Sequence, residues 1–198
     1  MIQILLIVIF IYSVIAHEVM HGAIADYLGD PTARYLGRLS LNPLAHIDPI
    51  GSIILPLLLL LSHSPILFGW AKPVPYNPYN LRNQRYGNAF VAAAGVGTNL
   101  FLALFFSLLI RTIPLPEIII TIFSEVVFVN LVLGVFNLVP IPPLDGSKIL
   151  FNFLPQASFM RILEQYGFLL LIFFMLYGFQ FLLPIIEGLF TLMTGLNT

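Results

Sequence analysis

An all-α membrane protein is the fold class this sequence predicts: a polytopic helical bundle of about four spanning helices plus one re-entrant or short membrane segment. Hydrophobic residues make up 59% of the chain and charged residues 9%, far from the soluble globular norm. Four stretches reach the roughly 20 mostly apolar residues that a bilayer crossing requires. No internal repeat, low-complexity tract or appended soluble stretch accompanies them. Residues 1–198 therefore read as a single membrane-embedded domain, with a core at about 1–154 and a C-terminal span at about 166–183.

The first span runs roughly from Ile2 to Leu28 and stops at Gly29 and Pro31, residue types that end helices. Its start, Met1 to Ala16, is as apolar as a secretory leader but has no basic n-region, since the first Lys or Arg is Arg34. It reads as the first half of a retained helix. Asp30 to Asp48 is polar and reads as an interfacial loop or short strands. Ile50 to Phe68 is apolar again, but Pro56 and the run Ser62, His63, Ser64, Pro65 interrupt it, which suits a re-entrant hairpin at least as well as a clean crossing. Gly69 to Gly87 is a second polar stretch. Its Trp70, Tyr76, Tyr79 and Tyr86 fit an aromatic belt at a bilayer surface or, equally, ordinary loop positions. Spans from Asn88 to Arg111, Glu117 to Val139 and Tyr166 to Leu183 complete the bundle. Pro184 closes the last one and leaves Ile185 to Thr198 as a short interfacial tail.

Composition also excludes functions. A net charge of −1, with eight Lys and Arg scattered along the chain, leaves no basic cluster for a nucleic-acid partner. Cysteine is absent, which removes disulfides, thiolate metal ligands and thiol nucleophiles together.

The chemistry lies inside the first span. His17-Glu18-Val19-Met20-His21 is an HExxH sequence. A separation of four residues stacks the two imidazoles on one helix face about 6 Å apart, close enough to share one tetrahedral Zn2+. Glu18 then stands beside the metal, where it can take a proton from water. Each charged group near the centre of a lipid-embedded helix costs about 2.5–3.5 kcal/mol, so ionisable residues there point to a function. Histidines that merely hydrogen-bond between helices are the plainer alternative.

A zinc hydrolase needs a third protein ligand and an open fourth position. The residues just after the motif, Gly22-Ala23-Ile24-Ala25-Asp26, supply no third His. Asp145 is the strongest candidate. Prolines break the apolar run ahead of it, and broken backbone at membrane depth is tolerated only against protein or a water-filled cavity. An interfacial turn with Asp145 as a helix cap is the ordinary alternative. His46, His63 and Glu125 follow, in that order, as other possible ligands.

Together, the HExxH helix and the segment Asn137-Leu138-Val139-Pro140-Ile141-Pro142-Pro143-Leu144-Asp145-Gly146 resemble the site-2 protease family of intramembrane zinc metalloproteases. Leu41 to Gly51 and Phe68 to Pro78 look like its compact branch, which lacks accessory domains. The resemblance covers roughly Ile15 to Leu150. It implies that His17, His21 and Asp145 hold one Zn2+ per chain and that Glu18 is the general base. It also implies that Asn99 and Asn137 face the active site and hold substrate backbone. The plain reading of Asn99 is interhelical hydrogen bonding, which is the preferred reading for Asn130 and Glu125. Ala94-Gly95-Val96-Gly97-Thr98-Asn99 departs from the family's usual Ala-Gly-Pro-x-x-Asn by lacking the proline.

The implied activity is hydrolysis of peptide bonds in or near the transmembrane segments of membrane protein substrates, with those substrates and the lipid bilayer as partners. The rival is a zinc-binding membrane protein without proteolysis, a metal carrier or inactive scaffold, which has no need of Glu18 beside His17. Topology follows from charge. If Ile50 to Phe68 is re-entrant, Arg111 alone is separated from the other Lys and Arg, a seven-to-one split that puts the majority side in the cytoplasm; a full crossing gives three to five. The expectation is a multi-pass protein of the cell membrane with an external N-terminus and a zinc site nearer the cytoplasmic face.

Overall fold

The computed structural model describes residues 2–62, 71–154 and 158–196, and all regular structure among them is helical. The alternative of short strands in the polar stretches is thereby corrected for the described residues. Those stretches hold helical turns and irregular chain, because the side chains of Asn42, Asp48 and Asn77 cap short turns whose first positions hold proline.

Helix α1 (Ile2–Tyr27) is apolar through Ala16 and ends where Gly29 takes φ +112°. Asp30 N–H donates to Ala25 O and Gly29 N–H to Asp26 O, the paired bonds of a glycine-closed helix end. Thr32–Tyr35 forms the short α2. A π turn at Pro49–Ile54, capped by the Asp48 carboxylate on Ile50 N and Gly51 N, leads into α3 (Leu55–Leu61). Pro56 does not interrupt this helix. It lies in the first turn, where its missing N–H is needed by no helical partner.

Helices α4 (Gly87–Thr112) and α5 (Glu117–Asn137) form the rest of the central layer. His17 meets Asn99 while His21 meets Val91, so α1 and α4 are antiparallel. The chain leaves α1 and enters α4 at the same end of the bundle, with Arg82 N–H donating to Leu28 O at 2.8 Å. Residues 63–68 of the apolar segment read as re-entrant lie outside the described residues. Asp30, fully buried, fastens this end: it accepts from Thr32, from Asn77 N at 2.6 Å and from Asn80 Nδ2 at 2.8 Å. Burial alone would raise its carboxyl pKa. The bonds from Thr32, Asn80 and Asn77 outweigh it and hold the group below the usual carboxylate range.

After α5 the chain turns through the prolines into α6 (Asp145–Phe153). Then α7 (Ser158–Phe173) continues by a π turn and a 3-10 turn to Phe181. Four helices are long and apolar enough to cross a membrane: Ile4–Tyr27, Gly87–Thr112, Glu117–Asn137 and Met160–Phe181. The last begins earlier than the expected Tyr166, and at Gly167 it packs so closely on Pro142 that a Cβ would stand 2.6 Å from the carbonyl oxygen.

The expected interfacial tail is corrected. Leu183–Thr194 is a helix, α8, with Pro184 in its first turn, so the residue read as a stop is also a start. Ile186 and Phe190, one turn apart, are buried against Ala103, Val127 and Leu131 of α4 and α5. Arg111 Nη2 donates to Leu192 O at 2.6 Å, placing a cation at the negative end of α8. Of the tyrosines expected at a surface, Tyr79 is 87% exposed, Tyr86 lies beneath Arg85, and Tyr76 turns inward to Asn88. Trp70 lies outside the described residues.

Candidate metal centre

Two histidines one helical turn apart on α1 both face α4. His21 Nδ1 lies 2.7 Å from the carbonyl oxygen of Val91, which can only accept, so this nitrogen carries the proton. His17 Nδ1 lies 2.6 Å from Asn99 Oδ1, and the Asn99 amide nitrogen donates in turn to Asn130 Oδ1 at 2.8 Å. The Asn130 amide nitrogen donates to Ser13 Oγ at 2.9 Å. Asn130 Nδ2 also donates to Val126 O at 2.9 Å and Asn99 Nδ2 to Ser13 O at 3.4 Å, carbonyls that can only accept, so both amides are oriented and His17 Nδ1 is a donor. Both imidazoles are thus left with Nε2 lone pairs, and both lone pairs converge.

The Nε2 atoms lie 2.9 Å apart, and Asp145 Oδ2 is 3.0 Å from each. Three acceptors at such separations repel one another unless a cation, a metal ion or a proton, lies among them. Ligands held by zinc at 2.0–2.1 Å in a tetrahedron are about 3.3 Å apart, so two imidazoles and a carboxylate in this arrangement fit the metal with shifts of a few tenths of an ångström. Both imidazoles donate their other nitrogen to a fixed oxygen, the outer-shell pattern that orients metal-binding histidines.

Glycine makes the approach possible. A Cβ on Gly95 would stand 2.5 Å from His21 Cε1 and 2.6 Å from His17 Nε2, so only glycine lets α4 lie against the imidazoles. Gly146 performs the same task for α6: a Cβ there would meet Leu138 O at 2.1 Å. Close packing against the broken end of α5 brings Asp145 back to α1, where its carboxylate meets both histidines. Lys148 Nζ bonds the other carboxylate oxygen, Asp145 Oδ1, at 3.0 Å. Burial would lower the Lys148 ammonium pKa; the charges of Asp145 and Tyr76 and the Asp145 bond more than offset this and raise it.

The remaining candidates lie elsewhere. His46 donates from Nε2 to Ser40 O at 2.7 Å and does not join the centre. Glu125 is on α5 more than one turn before Asn130, and His63 lies outside the described residues. Ligand atoms of His17, Glu18 and His21 lie within 4.8 Å of one another. Glu18 Oε2 accepts from Val74 N–H at 2.9 Å, and Oε1 has no hydrogen-bond partner among the described residues. Asn99 touches His17 itself. The Asn137 amide nitrogen is committed to Leu133 O of its own helix at 3.0 Å.

The chain is similar to known proteins. The profile of Peptidase family M50 matches residues 115–177, the part of the chain that supplies Asp145. A protein of Bacillus subtilis (strain 168), "Putative zinc metalloprotease YwhC", is 37% identical over 175 residues, which span 83% of this chain and 76% of that protein. The chain belongs to peptidase family M50. The resemblance to site-2 proteases read from the motifs is borne out. No solved structure matches the chain. In this M50 chain, sequence reasoning missed Gly95 as the imidazole platform, Lys148 on Asp145 and Val74 on Glu18. A signal for Gly95 was present, since it falls inside a motif, but the close approach it permits is a property of the packed helices.

Proposed function

We propose that this M50 metalloprotease hydrolyses peptide bonds in or near the transmembrane segments of membrane proteins, using one zinc ion per chain held by His17, His21 and Asp145. The observation that carries the reading is the convergence of His17 Nε2, His21 Nε2 and Asp145 Oδ2 within 3.0 Å of one another, beside Glu18. Bound there, zinc supplies Lewis acidity, polarising a carbonyl and making water a nucleophile at neutral pH. Glu18 Oε1 receives the proton of the attacking water and returns it to the leaving amine. Asn99 holds His17 in the tautomer that presents Nε2. Asn137 Oδ1, at the mouth of the broken segment, is the group proposed to meet substrate backbone.

Support for a membrane-segment substrate comes from two apolar grooves beside Ile149 and Phe153 of α6. One of about 380 Å3 is lined also by Tyr86, Ala89, Phe90 and Ala93, and one of about 310 Å3 by Leu138, Pro140, Gly146 and Leu150. An intact helix hides its carbonyls in hydrogen bonds, so a scissile segment must unwind, and Gly or Pro near the bond lowers helix stability by about 1–3 kcal/mol. Purified protein incubated with a panel of transmembrane peptides should cleave a Gly-containing segment faster than an all-Leu one. Mass spectrometry should show the products vanish with a chelator and return with zinc. A zinc-loaded protein that cleaves none of the panel would favour the carrier or scaffold reading.

The orientation proposed is an external N-terminus with the metal centre near the cytoplasmic face of the cell membrane. It rests on the seven-to-one charge split and on the shared exit of α1 and entry of α4. A single cysteine placed at Asn80 should resist an impermeant maleimide in intact cells and react after permeabilisation. Labelling without permeabilisation would reverse the assignment.

A further inference from the structure

The chain between Lys72 and Tyr76 reads Pro73-Val74-Pro75, and because proline has no N–H, Val74 carries the one backbone donor of the three. That donor is spent on Glu18 Oε2, at 2.9 Å. The flanking prolines also disfavour helical conformation at Lys72 and Val74, so the donor is presented from a stiff, extended piece of chain.

The piece is fastened on every side. Arg38 is a buried arginine, 8% exposed, and its Nη2 donates to Lys72 O at 2.8 Å and Pro73 O at 3.2 Å, the two carbonyls immediately before Val74. Lys72 N–H donates to His46 O at 2.9 Å, and Asn77 N–H to the Asp30 carboxylate at 2.6 Å. The Val74 side chain is buried on α1, where a Cβ at Gly22 would stand 2.6 Å from Val74 Cγ1. A buried guanidinium is costly to desolvate, and the bonds of Arg38 Nη2 go to the two carbonyls that precede the Val74 N–H.

We propose that Lys72 to Pro75 is a positioning strap for Glu18, and that Arg38 is a positioning residue acting through it. A glutamate side chain has freely turning torsions; tying Oε2 to a rigid donor selects one rotamer and leaves Oε1 as the proton acceptor, before any substrate arrives. The strap thus belongs to the catalytic machinery although none of its own side chains touches the reacting atoms. This inference rests on Glu18 being the base.

The test uses full-length protein in detergent with a cleavable transmembrane peptide, measuring kcat, KM and zinc content. Val74→Pro keeps an extended chain and deletes the donor; it should lower kcat about ten- to a hundredfold with KM and zinc content held, as for an interaction that matters only in the transition state. Val74→Ala keeps the N–H and loses side-chain packing, and should fall distinctly less. Arg38→Ala should follow Val74→Pro, with Arg38→Lys recovering part of the loss. Independently of turnover, in 15N-valine-labelled protein the amide resonance that disappears in Val74→Ala should move upfield in Glu18→Ala. Parental kcat in Val74→Pro, an equal fall in Val74→Ala, or an unmoved resonance would each overturn the strap. If Arg38→Ala does not fold, the Val74 pair still decides. A fully active Glu18→Gln would instead remove the base assignment beneath it.

Discussion

Glu18→Gln is expected to abolish peptide hydrolysis, by at least the hundred- to ten-thousandfold typical of a lost general base, while the purified protein keeps its zinc. The amide oxygen can still accept from Val74 N–H, so the strap and the helix are undisturbed, and both imidazoles and Asp145 are left in place. Asp145→Ala gives the opposite signature. It removes one corner of the acceptor triangle and should strip the metal, and with it the activity. Metal analysis by mass spectrometry separates the two classes. His46→Ala should keep its zinc, because Ser40 O holds the His46 ring and the ring takes no part in the cluster of His17, Glu18 and His21. Full zinc in Asp145→Ala beside loss in His46→Ala would move the third ligand to His46.

A single methyl group at position 95 should have nearly as large an effect. In Gly95→Ala the added carbon would stand 2.6 Å from His17 Nε2 and 2.5 Å from His21 Cε1, closer than any real carbon contact. Either α4 retreats from α1 or the imidazoles turn, and both break the convergence. Zinc affinity should fall by more than the ten- to hundredfold seen when a supporting group is altered. Gly97→Ala is the internal control, since nothing lies within 4 Å of its Cβ position. Alanine favours helix over glycine by about 1 kcal/mol, so neither change weakens α4 by itself. Competition with a chelator measures both, and equal affinities in the two variants would show that Gly95 is not the platform described.

The different fates of these two glycines illustrate what a sequence carries. Both occupy one short stretch of one helix, and locally only the match of Gly95 to the motif sets it apart. Which one matters is fixed by the side of α4 that meets α1, a tertiary fact. Asn99 is similar: its motif placed it at the site, but the choice between holding substrate and holding His17 depends on an imidazole 82 positions away, 2.6 Å from its oxygen. Ser13 and Asn130, unremarkable in the sequence beyond being polar in a span, complete that chain.

What the sequence determined by itself was whatever a single helix determines. Apolar length set the spans, Gly29 set the end of α1, and the four-residue spacing of His17 and His21 put two imidazoles on one face, because hydrophobic burial and helical periodicity act over a few turns. Composition ruled out thiol chemistry for an equally local reason, since the chain has no cysteine. Tertiary structure decided the rest. Pro184 could end one helix or begin another, and the buried face of Ile186 and Phe190 against α4 and α5 selected the second. Asp145 could cap α6 or meet the histidines, and the close seat of Gly146 on Leu138 turned it toward them. Glu18 could point anywhere in its cone until Val74 N–H fixed one oxygen. In each case a polar or chain-breaking residue has several local solutions of similar energy, and only partners distant in sequence choose between them.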